Sequence, residues 1–144
     1  MNVLLAMSLF LLATNLRADE PETMEVFTDS RFPVTGLEDI RQRSGARVTI
    51  HDLGAPAGLE ETLSGGLPNT ETEALQVVRQ RFSASFGELR QRFLQAYQGH
   101  TQAMSYGIDR YPAVVFDGRA VLYGVTDLVD ALARYRRWKE VHSP

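Results

Sequence analysis

The segment that most restricts the fold runs from Tyr106 to Gly124. Tyr106-Gly107-Ile108 leads to a Tyr111-Pro112 step. Two apolar runs follow, Ala113-Val114-Val115-Phe116 and Ala120-Val121-Leu122-Tyr123, separated by Asp117-Gly118 and Arg119. Asp-Gly between apolar β-prone runs is a strong local hairpin signal, because both turn residues adopt positive φ at little cost. The C-terminal part of the chain must therefore hold an antiparallel strand pair entered through an X-Pro bond.

Upstream, Met24-Glu25-Val26-Phe27-Thr28 alternates and reads as a first strand. Asp29 to Pro33 reads as a loop, since Pro33 disfavours helix at the residue before it. Val34, Leu37 and Ile40 share the face of a short helix that stops at Ser44-Gly45. Arg47 to Leu53 reads as a second strand, with Val48 and Ile50 inward and Thr49 and His51 outward. This strand–helix–strand stretch has the size of a βαβ unit.

Gly54 to Pro68 reads as a connector with one turn of helix at Leu59 to Leu63. Thr70-Glu71-Thr72-Glu73 has capping-box spacing, with Thr70 serving the exposed amides and Glu73 reaching back. Leu75, Val78, Phe82, Phe86, Leu89, Phe93 and Ala96 then step by three and four residues, the mark of an amphipathic helix. Gly87 either bends this helix or splits it, and Gln98-Gly99-His100 ends it. Its apolar face reads as core, although its three phenylalanines exceed what a small sheet readily covers. In a last helix Thr126 is the candidate N-cap. Leu128, Val129, Leu132 and Tyr135 form its apolar face, and Arg134, Arg136, Arg137 and Lys139 lie near its C-terminus. The solvated end of a helix, with Tyr135 and Trp138 packed on the core, explains that basic stretch better than RNA or membrane contact. The order is β-α-β-α-β-β-α.

A chain of 144 residues suits one domain with a real core. A formal charge of −3 offers no basic footprint for nucleic acid, so no direct nucleic-acid contact is expected. With no cysteine, disulfides, thiolate catalysis and thiolate metal sites are excluded. His51, His100 and His142 have no ligand spacing, and no Ser/His/Asp set is apparent, so neither a metal, a cofactor nor a catalytic residue is expected.

Val3 to Ala13 is an apolar run of h-region length, too short to span a bilayer, which needs about 20 residues. No Lys or Arg precedes it. Leu16-Arg17-Ala18 offers a cleavage point before the acidic Asp19-Glu20-Pro21-Glu22. Residues 1–18 therefore read as a signal peptide and 19–144 as the mature domain. The expected location is the periplasm, with no transmembrane segment after cleavage.

The hairpin stretch, with its Tyr111-Pro112 entry, resembles the part of thioredoxin-like proteins that carries the cis-proline and the last two strands. The resemblance implies an α/β thioredoxin-like fold with a four-stranded mixed sheet and helices on both faces, here lacking the CxxC. It also implies a cis Tyr111–Pro112 bond. It aligns Thr28 to Gly36 with the loop that holds the reactive cysteines in that family, leaving Ser30, Arg31 and Phe32 in their place. That loop is either a former active site turned to binding or a plain connection. Pro112 is either the edge of a peptide groove or a turn-setting proline. In the groove reading, Tyr111 presents its amide and carbonyl to an extended polypeptide, and Tyr111, Pro112, Ser30, Arg31 and Phe32 form the peptide-binding site.

The apolar leader, the Glu25-Val26-Phe27-Thr28-Asp29 strand, the Phe-rich helix and Tyr106 to Asp117 together resemble a family of small exported proteins encoded in integrative and conjugative elements beside type IV secretion genes. That resemblance implies a non-catalytic periplasmic component of a conjugative DNA-transfer apparatus. Its partners would be other proteins of that apparatus, bound during assembly of the channel or pilus. Two alternatives stand beside it. One is a redox-inactive chaperone related to disulfide oxidoreductases and isomerases, the other an exported ligand-binding domain.

Overall fold

The computed structural model describes residues 20–142, and the expected signal peptide at 1–18 lies outside them. The elements are β1 (Thr23–Thr28), α1 (Leu37–Arg43), β2 (Arg47–Asp52), α2 (Ala55–Ser64), α3 (Glu71–Ser105), β3 (Ala113–Phe116), β4 (Ala120–Tyr123) and α4 (Leu128–His142). The strands form one mixed sheet in the order β2-β1-β3-β4. β1 runs parallel to β2 and antiparallel to β3, and β3 pairs antiparallel with β4.

Because β1 and β3 are central, both their faces are covered and their alternation sorts side chains between two cores. Met24, Val26, Val114 and Phe116 face α1 and α4, where Ile40, Leu128, Ala131, Leu132 and Tyr135 complete the larger cluster. Phe27, Ala113 and Val115 face the C-terminal end of α3, packing with Ala103, Tyr106 and Ile108. Helices therefore lie on both sides of the sheet. Phe116 stacks on Tyr135 at 4.4 Å between ring centroids, while Trp138, the other aromatic expected in the core, is half exposed.

Asp117 (φ 51) and Gly118 (φ 64) form the expected hairpin turn, closed by Arg119 N–H donating to the Phe116 carbonyl at 3.0 Å. Asp117 does more than turn the chain. Its Oδ1 accepts from the amides of Glu22 (2.8 Å) and Thr23 (2.9 Å), which ties the hairpin tip to the start of β1.

Several expectations are corrected. The stretch from Gly54 to Pro68 holds a full helix, α2, rather than a connector with one turn: Pro56 occupies its first turn, where a missing N–H costs nothing. Its C-terminal carbonyls are bound from outside, since Arg81 Nη1 donates to Leu63 (2.7 Å) and Gly65 (3.1 Å). Thr70 is the N-cap residue of α3 but makes no side-chain cap bond; its hydroxyl donates to Glu73 Oε2 at 2.6 Å, so the capping box does not form. α3 continues through Gly99 to Ser105, and its break falls at Ser85 (φ −139, ψ 29) instead of Gly87. α4 is capped by Asp127, whose Oδ1 accepts from Val129 (2.9 Å) and Asp130 (3.2 Å), in place of Thr126. Val129, expected on the apolar face of α4, is exposed.

Alternation in β2 also departs from expectation. Val48 packs on the larger core, but Ile50 is 43% exposed, since the two turns of α1 leave that end of the edge strand uncovered. His51, expected outward, is sheltered on the opposite face and stacks on Phe27 at 4.6 Å. Gly99 makes this possible. A Cβ there would lie 3.2 Å from His51 Cβ, so the bare backbone lets α3 come down onto β2.

Candidate functional site

The loop after β1 is built from its first residues. Asp29 Oδ1 accepts the Arg31 amide at 2.9 Å, and Phe32 N–H donates to the Asp29 carbonyl at 3.0 Å, so the chain reverses over Asp29 to Phe32. Buried Thr28 holds the turn from below, its hydroxyl donating to the Phe32 carbonyl at 2.6 Å. Arg31 is then clamped: Nε donates to Asp29 Oδ2 at 3.0 Å and Nη2 to the same oxygen at 2.6 Å. The Asp29 carboxyl is held below its ordinary value, chiefly by the hydrogen bond from the Arg31 side chain, with burial opposing. Arg31 is raised in return, chiefly by Asp29.

The second part comes from the segment before β3, about 80 residues away. Arg31 Nη2 also donates to Tyr111 Oη at 2.7 Å. The Phe32 and Tyr111 rings meet edge to face at 6.3 Å, and the Arg31 guanidinium carbon lies 5.6 Å from one ring centroid and 5.7 Å from the other. The Tyr111–Pro112 bond is cis. Pro112 is buried and its carbonyl accepts Gly124 N–H at 2.8 Å. Neither the amide nor the carbonyl of Tyr111 has a hydrogen-bond partner among the described residues.

Of the expected peptide-binding residues, the structure brings Arg31, Phe32, Tyr111 and Pro112 together. Ser30 sits exposed at the tip of the turn, with no hydrogen-bond partner among the described residues. Asp29, which sets the geometry of Arg31, was not among the expected site residues. Its signal was the Asp-Ser-Arg spacing, since Asp readily bonds the amide two residues on. The arrangement suits binding: a cation beside two touching aromatic rings and, among the described residues, a guanidinium Nη1, a backbone amide and a backbone carbonyl without hydrogen-bond partners.

Behind this surface lies a polar network that the sequence did not announce. On the α3 side of the sheet, the Tyr106 hydroxyl donates to Glu25 Oε1 in a very short hydrogen bond. The other Glu25 oxygen lies 2.8 Å from His51 Nε2. The Tyr106 phenol is raised, first by its bond to Glu25 and then by burial. Tyr106 also meets Phe27 edge-on at 6.1 Å. The network thus fixes the end of α3, and with it the start of the Tyr106–Tyr111 segment, to β1 and β2. A glutamate set between Met24 and Val26 in the first strand was the available clue.

Among the described residues no group of His, Asp and Glu is arranged to hold a metal ion, and no helix is long and apolar enough to cross a membrane. No curated protein and no solved structure matches the chain. The family model described as Protein of unknown function (DUF1525) matches residues 21–141, and the chain belongs to that family.

Proposed function

We propose that the protein is a non-catalytic, thioredoxin-like periplasmic component of a conjugative DNA-transfer (type IV secretion) apparatus encoded by an integrative and conjugative element. It acts by binding other proteins of the apparatus during assembly of the channel or pilus. The observation that carries the binding reading is the amide and carbonyl of Tyr111, unpaired among the described residues and set beside the Arg31 guanidinium and the Phe32 ring. An extended segment of a partner pairs with that backbone as an added strand, and its side chains meet the two rings and the guanidinium.

The thioredoxin-like reading is supported by the strand order β2-β1-β3-β4, the parallel β1–β2 pair, the helices on both faces and the X-Pro entry to β3. A chain without cysteine has no thiolate for exchange, which favours binding over disulfide chemistry. The apolar run from Val3 to Ala13, followed by Ala18, supports export. Placement in a conjugative apparatus rests on the family resemblance of the leader, first strand, Phe-rich helix and Tyr106–Asp117 stretch.

Deleting the gene from its element is expected to lower transfer from donors and leave recipient ability intact. The wild-type gene restores transfer, whereas folded Tyr111→Arg or Arg31→Glu variants do not. Normal transfer by the deletion strain refutes a required role. Full rescue by both variants removes the groove from the function.

A further inference from the structure

The Phe-rich row of α3, expected to be core, is core only in part. The buried residues of this helix are Leu89, Ala96, Gly99 and Ala103. Leu75, Phe82 and Phe86 are exposed, Phe86 at 66%, and they form a stripe with half-buried Val78 and Phe93 and with buried Leu89 at its foot. The break at Ser85 divides the row into Leu75, Val78 and Phe82 before it and Phe86, Leu89 and Phe93 after it. The C-terminal third of α3 is the part that meets the sheet, through Gly99, Ala103 and Tyr106. The rest lies against α2, which approaches from the side of Arg81 and Leu89 and leaves Leu75, Phe82 and Phe86 exposed.

Charge around the stripe is one-sided. Between Ala74 and Phe93 stand Arg79, Arg81, Arg90 and Arg92 against Glu88 alone, in a chain whose formal net charge is −3. Arg81 is engaged with α2, while Arg79, Arg90 and Arg92 are exposed and make no ion pair among the described residues. Arg79 lines a cleft with Leu75, and Arg92 lines another with Leu89, Arg81 and Leu63 of α2. Phe82, Phe86, Leu89, Arg90 and Phe93 share one cleft, so a side chain seated there meets a guanidinium at its edge.

We infer that this stripe is a docking surface for an acidic amphipathic helix of a partner protein. Apolar anchors of the partner enter the row at three- and four-residue spacing, and its carboxylates meet Arg79, Arg90 and Arg92. The surface goes beyond the Tyr111 groove and is separate from it. A second copy of this chain fits poorly. Pairing this face with itself gathers Arg79, Arg90 and Arg92 of both copies at one interface with only Glu88 of each to offset them, and like-charge contacts destabilise. An anionic bilayer fits less well too, because a broad surface also meets α2, which carries Glu60 and Glu61 and no cation.

The test uses the whole protein and two labelled synthetic helical peptides with identical leucine stripes, one with glutamate and one with lysine at the flanking positions, read by fluorescence anisotropy. The glutamate peptide is expected to bind at least about tenfold more tightly than the lysine peptide and to weaken as salt rises. A triple Arg79→Glu, Arg90→Glu, Arg92→Glu variant and a Phe86→Ser variant, each with an unchanged circular-dichroism spectrum, lose about tenfold or more in affinity for it. Tyr111→Arg leaves its binding unchanged, which separates this surface from the groove. Equal binding of both peptides, or full affinity in the charge-reversed variant, overturns the inference. So does loss of binding on Tyr111→Arg. Binding to phosphatidylglycerol vesicles without binding to the glutamate peptide assigns the stripe to a lipid surface. A dimer in sedimentation that Phe86→Ser dissolves assigns it to a second copy, and either result overturns the proposal.

Discussion

Two glycines in α3 should respond differently to the same substitution. At Gly87 an added Cβ meets nothing within 4 Å, and the residue lies inside the helix. Gly87→Ala therefore recovers helix propensity without a steric cost and should stabilise the protein by roughly 1 kcal/mol. For a domain of this size that corresponds to a rise of about 3–6 °C in Tm. Gly99→Ala gains the same propensity but sets its Cβ 3.2 Å from His51 Cβ and 3.5 Å from Leu53 Cδ2. The His51 Cβ is fixed to the backbone of β2, so the helix must lift, and overpacking of this kind costs about 1–3 kcal/mol. The net effect lies between neutral and about 2 kcal/mol destabilising once the propensity gain is subtracted. Thermal and urea unfolding followed by circular dichroism measures both variants against wild type. Equal stabilisation by the two would mean that α3 is not seated on β2 through Gly99, and the placement of the Glu25–His51–Tyr106 network would fail with it.

Phe27→Ala removes a fully buried ring that stacks on His51, and should cost about 3–5 kcal/mol, whereas Phe86→Ala on the exposed stripe should stay within about 0.5 kcal/mol. Similar costs in urea unfolding would contradict the division between core and surface phenylalanines. Asp29 is held below its ordinary value by Arg31, so the stability it contributes is present above about pH 4 and lost as pH falls through the folded value. The stability gap between wild type and Asp29→Asn should therefore be widest near neutrality and close on acidification; a gap of constant size from pH 7 to pH 3 would exclude the clamp.

What was legible in the sequence was mostly local. The β3–β4 hairpin follows from Asp117-Gly118 between two apolar runs, and β1 and α1 follow from short alternating and helical patterns. Features set by distant contacts were not legible. α2 lies in a Gly- and Pro-rich stretch, and its last carbonyls are bound by Arg81, 18 and 16 residues further on. Gly99 has the composition of a helix stop and acts instead as a point of close approach, which depends on where β2 lies. The stepping of Leu75 to Ala96 is genuine amphipathicity, but periodicity alone does not say whether another element covers the face. At the groove, the family resemblance singled out Arg31, Phe32 and Tyr111. Asp29 escaped because its importance lies in holding a side chain that bonds across 80 residues.

The position of β1 has a consequence for how the chain is made. β1 is central, yet one of its neighbours, β3, is near the far end of the chain, and Asp117 meets Thr23 across 94 residues. At synthesis rates of 5–20 residues per second, about 5–19 s pass between the appearance of β1 and that of the residue closing over its start. Over most of that interval β1, α1 and β2 can exist as a parallel unit with one side of the central strand unpaired. An open strand edge is a template for the wrong chain as well as the right one. The growing chain is therefore most open to mispairing before Phe116 has emerged.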